Sequence, residues 1–138
     1  MSDNPDHVKK MTEASLRRQR KGLKTKIESK VEKKLIKLKI QNKYSKILHR
    51  KYQYDFIIGD DILLEVHGDY WHANPNIYGN GKKKINETQK FKIKQDKKKK
   101  EFAIKYGYRI YYIWESEINN NDFKVIYDII NELQRRKK

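Results

Sequence analysis

The chain has 138 residues, 36 % of them hydrophobic, which is enough for a core of moderate size in one compact domain. It contains no cysteine, which excludes a disulfide framework and thiolate zinc sites and leaves oxygen and imidazole as ligands for any metal. Thirty-four Lys and Arg against eighteen Asp and Glu give a net charge of +16, an excess that favours polyanionic partners through counterion release.

The polar opening from Met1 to Lys10 and the lack of an apolar run of membrane-spanning length predict neither a signal peptide nor a transmembrane helix, hence a cytoplasmic protein. Residues 1–22 read as a basic helical arm, with Val8, Met11, Thr12 and Ser15 near helical spacing and Arg17, Arg18 and Arg20 supplying charge. Its apolar face is thin, so it is either a solvated tail or an arm that orders on DNA. Gly22 breaks the pattern, and residues 23–138 form the domain proper. Two overlapping capping boxes, Thr25 with Glu28 and Ser29 with Glu32, open a helix that repeats Ile27, Val31, Leu35 and Leu38 on one face.

A hairpin follows, Tyr52 to Ile58 and Ile62 to His67 about the turn Gly59-Asp60-Asp61. The continuous run Ile62-Leu63-Leu64 predicts a strand covered on both faces, and so a sheet between helices. Ala73 to Lys84, with Pro75, Gly79 and Gly81, reads as a long loop of the kind that often carries function. A lysine-dense helix from about Asn86 to Tyr106 ends at Gly107, a strand spans Tyr108 to Trp114, and Asp122 to Arg135 is a final helix with Phe123, Ile126, Ile130 and Leu133 on its apolar side. The expected order is helix, hairpin, helix, strand, helix.

Asp55 and Glu65 stand on adjacent strands of the hairpin, which brings such positions within a few to about ten ångströms, so the two carboxylates can share a cation. Period-two alternation puts His67 on the same face as Glu65 and turns Val66 away, leaving the Val66 carbonyl available as a ligand. Glu65 to His72 packs two histidines, two acids and two large aromatics, Tyr70 and Trp71, into eight residues, more polar chemistry than a structural strand end needs. Gly68 permits a bend or a close backbone approach there. Metal-assisted phosphodiester hydrolysis calls for such a set: carboxylates to hold cations against the phosphate and a base to take a proton from water.

These residues resemble the very short patch repair endonucleases and their relatives among homing endonucleases, within the PD-(D/E)xK restriction-endonuclease-like superfamily. The resemblance runs from about Ser29 to Glu115 and rests on Ser29 to Leu35, Asp55-Phe56, His67 to His72, Asp96 placed before Gly107-Tyr108-Arg109, and Ile113-Trp114-Glu115. It implies Asp55 as metal-binding carboxylate, the Val66 carbonyl as second ligand, His67 as the base in place of the superfamily's usual lysine, and His72 assisting the phosphate or leaving group. Glu32 and Asp96 match outlying acids that hold metal-bound water or orient a histidine, and Tyr70 and Trp71 match an aromatic pair that wedges between base pairs. Two departures stand out. Asp69 falls where the repair enzymes have a zinc-binding cysteine, so zinc is not expected, and Glu65 replaces an apolar residue, which moves the chain toward the homing type.

Lys97, Lys98, Lys99 and Lys100, next to Asp96, are expected to contact phosphate, whereas Tyr111, Tyr112 and Trp114 are expected in the core. The fold expected is a single α/β domain with a small mixed central sheet flanked by helices. The function expected is magnesium-dependent cleavage of double-stranded DNA, with manganese able to substitute, by a homing-type or phage-type endonuclease that is a monomer or homodimer. A mismatch-directed nicking enzyme, a restriction-type nuclease and a non-catalytic DNA-binding module are the alternatives.

Overall fold

The structure, a computed structural model, describes residues 24–137. The arm, with Arg17, Arg18 and Arg20, lies outside the described residues. Helix α1 (Lys26–Lys37) starts at Thr25, whose hydroxyl accepts the Glu28 N–H at 3.2 Å while the Glu28 carboxylate accepts the Thr25 N–H at 2.9 Å. Of the two overlapping capping boxes only this one is used, because Ser29 already lies inside the helix and a cap needs non-helical backbone. Val31 and Leu35 are fully buried on its inner face. The helix closes on a Schellman turn, Ile40 N–H to the Leu35 carbonyl and Lys39 N–H to that of Ile36, both at 2.9 Å, with Lys39 at φ 57°.

The next element is absent from the expected order. Strand β1 (Asn42–Leu48) is a half-exposed edge strand in which Lys43 and Lys46 interrupt the apolar residues. It joins β2 (Tyr52–Ile58) through a tight turn with His49 at φ 49° and Arg50 at φ 57°. Turns with both central residues at positive φ ordinarily show themselves as Asn-Gly, and His-Arg gives no such signal.

Strand β3 (Ile62–His67) follows across Gly59, at φ 61°, with the bounds the sequence predicts, and all six of its residues are buried. Helix α2 (Glu87–Lys105) opens on a capping box of Asn86 and Gln89 and stops at Gly107, which takes φ 86°. Strand β4 (Arg109–Trp114) leads directly into a short unanticipated helix α3 (Glu115–Asn119), and α4 (Lys124–Arg136) closes the domain.

The strands form one mixed sheet in the order β1-β2-β3-β4, antiparallel except for the parallel β3–β4 pair. One face buries Phe56, Ile58, Ile62, Leu64 and Val66 against Val31 and Leu35 of α1, Ile118 of α3, and Ile126 and Ile129 of α4. The other face packs Tyr54, Ile57 and Leu63 against Ala103 and Phe102 of α2. The sheet therefore lies between helices, as its fully buried central strand requires. Among the described residues, no helix is long and apolar enough to cross a membrane.

Candidate active site

The β2–β3 ladder runs through Ile58↔Ile62 to Phe56↔Leu64 and then gives way at the next pair, Asp55 and Glu65. Side chains take over there: the Asp55 N–H donates to Glu65 Oε1 at 2.9 Å and the Val66 N–H donates to Asp55 Oδ2 at 2.8 Å. Alternation also slips at Asp55, since Tyr54 and Ile57 share one core while Phe56 belongs to the other. Opposite, in β1, Ser45 sits at φ 67° and accepts a short hydrogen bond from the Gln53 side chain. This local break turns the Asp55 carboxylate toward Glu65. Val66 lends its N–H to that pair while its side chain goes into the first core.

The two carboxyls are pushed apart electrostatically. Burial, then the charges of Glu65 and Glu28, hold Asp55 well above the usual carboxylate range against the pull of Lys99 and the Val66 N–H. Burial would raise Glu65 as well, but Lys99, His67 and the Asp55 N–H outweigh it and hold Glu65 low. Glu28 was legible only as a helix cap; it is buried, also accepts the Tyr44 hydroxyl at 3.2 Å, and is the α1 acid whose charge reaches Asp55. Glu32, one turn on, is instead paired with Lys24 at 3.3 Å.

His67 lies flat on His72, with ring centroids 3.7 Å apart and planes within 2°. Tyr112 and Trp114 close around it at 4.7 and 5.1 Å, so these two aromatics line the site while Tyr111 packs on the first core. His67 is buried, and neither ring nitrogen has a hydrogen-bond partner among the described residues. Burial, then the charge of His72, depress its pKa to about 3 in spite of Glu65 and Asp96, so it stays neutral at ordinary pH. His72 Nδ1 meets Asp96 Oδ2 at 2.6 Å. Burial pulls Asp96 upward, but the hydrogen bond to His72 and the neighbouring charges of His72 and Lys92 hold it low. One ligand atom each of His67, His72 and Asp96 lies within 4.8 Å of the others. Imidazole lone pairs lie in the ring plane, so two stacked rings cannot both aim at one ion until one of them turns.

The inner stripe of α2 supplies the other half of the site. Gln89, Lys92, Asp96, Lys99 and Ala103 follow one another at helical spacing, and only Ala103 is apolar. The lysine run is thereby divided: Lys97, Lys98 and Lys100 are exposed, while Lys99 turns inward and places Nζ 2.8 Å from Glu65 Oε2.

Tyr70 and Trp71 stand outside the core, 45 % and 43 % exposed, packed edge to face at 5.2 Å. Their loop is pinned from two sides. Gln89 donates its side-chain amide to the Tyr70 carbonyl at 2.7 Å, and buried Asn74 donates to Asp69 Oδ1 at 2.9 Å. Asp69 also accepts the Ser116 hydroxyl at 3.3 Å, and its N–H reaches Glu115 at 3.1 Å. Gly68 is not held at positive φ, and a Cβ there would make ordinary contacts with Trp71 and Glu115.

No protein-family model matches the chain, and no curated protein matches it. Among solved structures, the chain is similar to the catalytic domain of the homing endonuclease I-Bth0305I, at 21 % sequence identity and a TM-score of 0.51, covering 81 % of this chain and 93 % of that one. Together with the mixed four-stranded sheet between helices, this likeness gives the domain a restriction-endonuclease-like fold.

Proposed function

We propose that this protein is a metal-dependent DNA endonuclease of the homing type, close in its active-site plan to the very short patch repair enzymes. The observation that carries the proposal is convergence. Asp55 from β2, Glu65 and His67 from β3, His72 from the following loop and Asp96 and Lys99 from α2 meet at one place, on a fold shared with a homing endonuclease catalytic domain.

The donor set suits a hard divalent cation such as magnesium, with manganese as substitute. Asp55 sits among the charges of Glu65 and Glu28 in a desolvated setting, and a cation beside it would relieve the strain that raises its pKa. When bound, such an ion supplies positive charge that polarises the phosphodiester and acidifies water. The Val66 carbonyl, next to the Asp55–Val66 hydrogen bond, is the second oxygen this reading assigns to it.

The chain's own groups then divide the proton work. A base should have a pKa near the working pH, and His67, held at about 3, is a poor acceptor. His72 is better placed: ionised Asp96 accepts its Nδ1–H, fixing the tautomer that leaves Nε2 to take a proton from water. His67 remains the neutral surface on which His72 is stacked. Exposed Lys97, Lys98 and Lys100 are suited to backbone phosphates on either side.

Asp55→Ala is expected to abolish magnesium-dependent nicking or linearisation of supercoiled plasmid while leaving DNA binding in place. Retained cleavage would remove Asp55 from the centre. Binding without cleavage by the unaltered protein, on a random-sequence library, would instead favour a non-catalytic DNA-binding module. The exposed Tyr70 and Trp71 favour one more reading, mismatch-directed nicking, since aromatic wedges insert most cheaply where a base step is already weak. Comparing matched and mismatched duplexes at equal length decides between the two. The described residues hold one such centre, so cutting both strands requires two copies or two successive nicks.

A further inference from the structure

Glu65 has both carboxylate oxygens committed to protein donors: Oε1 accepts the Asp55 N–H at 2.9 Å and Oε2 accepts Lys99 Nζ at 2.8 Å. A carboxylate so engaged keeps only its remaining lone pairs for a cation, and the ammonium at Oε2 opposes a second positive charge there. Lys99 is itself held on several sides. Its Nζ lies 4.8 Å from the centre of the Tyr54 ring, and the Tyr54 hydroxyl donates to the Lys99 carbonyl at 2.7 Å, fixing this turn of α2 to β2. Burying an ion pair costs desolvation that the pair's own attraction barely repays, so the arrangement is poorly explained by stability alone. The pair is also not sealed. An ammonium has three donors, Glu65 takes one, and 17 % of the Lys99 side chain stays open to solvent.

We propose, resting on the nuclease reading above, that Lys99 is a catalytic residue whose ammonium, positioned by Glu65 beside Asp55, meets a non-bridging oxygen of the bound phosphodiester. Glu65 is then the positioning carboxylate of Lys99 and not a ligand of the metal. Fixed cations aimed at oxygens where charge develops lower the barrier without reorganisation, and this one comes from a helix on the opposite side of the site from the strand carboxylates.

Manganese binding, followed by the electron paramagnetic resonance of the free ion, tests the ligand assignment without any turnover. Glu65→Gln should bind Mn2+ within about threefold of the unaltered protein, whereas Asp55→Asn should lose about tenfold or more. Lys99→Met, which removes a positive charge from beside the site and frees Glu65, should bind Mn2+ at least as tightly as the unaltered protein, so any loss of cleavage in it is not loss of metal. In cleavage assays Lys99→Met should lower kcat about a hundredfold with little change in KM, and Lys99→Arg should recover part of it.

The double variant Glu65→Gln with Lys99→Met should be no slower than the slower single one, because the two act as a unit. Thermal melts of each variant separate misfolding from lost chemistry, and Lys99→Arg, which keeps the charge, carries the test if Lys99→Met does not fold. Loss of Mn2+ in Glu65→Gln equal to that in Asp55→Asn, or cleavage by Lys99→Met within about threefold of the unaltered protein, would overturn this proposal while leaving the nuclease reading standing. An unaltered protein that cleaves no DNA with any divalent metal would sink the nuclease reading and the role of Lys99 with it.

Discussion

His67 illustrates how far one side chain's charge state is set by its neighbours. Its pKa is about 3 in the folded chain against roughly 6.5 when unfolded, so the unfolded chain takes up the proton first as pH falls. The stability His67 contributes is therefore complete above about pH 6.5 and is lost progressively as pH drops toward 3. Asp55 is raised and works in the opposite sense, being most favourable at low pH, so a comparison of variants is cleaner than one protein's profile. With metal chelated, His67→Gln should flatten the fall in melting temperature between pH 6.5 and 4.5. The variant should gain on the unaltered protein as the solution is acidified. Parallel melting curves for the two would mean that His67 is not buried neutral.

At the level of elements, residues were legible where their neighbours in sequence were also their neighbours in space. His67 ends β3 and Gly68 to His72 form a single turn of chain directly after it, and their density of polar and aromatic groups marks them without a structure. The hairpin was legible because its strands are apolar and its turn carries Gly59. Strand β1 was not, since an edge strand needs little apolar content and the His49-Arg50 turn lacks the usual residues. Lys99 was hidden differently: inside four consecutive lysines only the helical phase, fixed by Gln89 and Ala103, picks out the one that faces inward. A stripe that is polar where periodicity demands apolar residues is itself the signal, one to which hydrophobic patterning is blind.

The end of α1 tests the same logic in energetic terms. Leu35→Ala removes a fully buried side chain and should cost about 2–5 kcal/mol. Lys39→Gly, at an exposed residue in left-handed conformation, should add up to about 1 kcal/mol. Urea titrations read both, and a Lys39→Gly variant less stable than the parent would remove the Schellman geometry from the account.

At the scale of the whole molecule, the described lysines of one turn of α2 divide into one that faces inward and three that face solvent. Lys99 is committed to Glu65, while Lys97, Lys98 and Lys100 of the same turn remain free to meet a polyanion from outside. DNA affinity should therefore fall steeply with salt, and replacing those three lysines together by alanine should reduce the log–log slope by up to about three units, at roughly 0.9 per contact. Lys99→Met should leave the slope within about one unit of the parent. A slope unmoved by the triple replacement would place the DNA elsewhere on this chain of net charge +16. The sheet contributes the frame for this division: β2 and β3 bring the carboxylates, and the crossover through α2 to parallel β4 returns the chain across them with its cations.

Gln89 ties two of these parts into one. Its side-chain oxygen accepts the Asn86 N–H at 3.0 Å, starting α2, and its amide nitrogen holds the Tyr70 carbonyl at 2.7 Å, with the whole side chain buried. Fraying of the first turn of α2 and release of the aromatic loop are thus a single opening event and not two. A duplex that captures Tyr70 and Trp71 would in the same act stiffen the start of the helix that carries Asp96 and Lys99, so occupancy at the rim and order at the centre rise together.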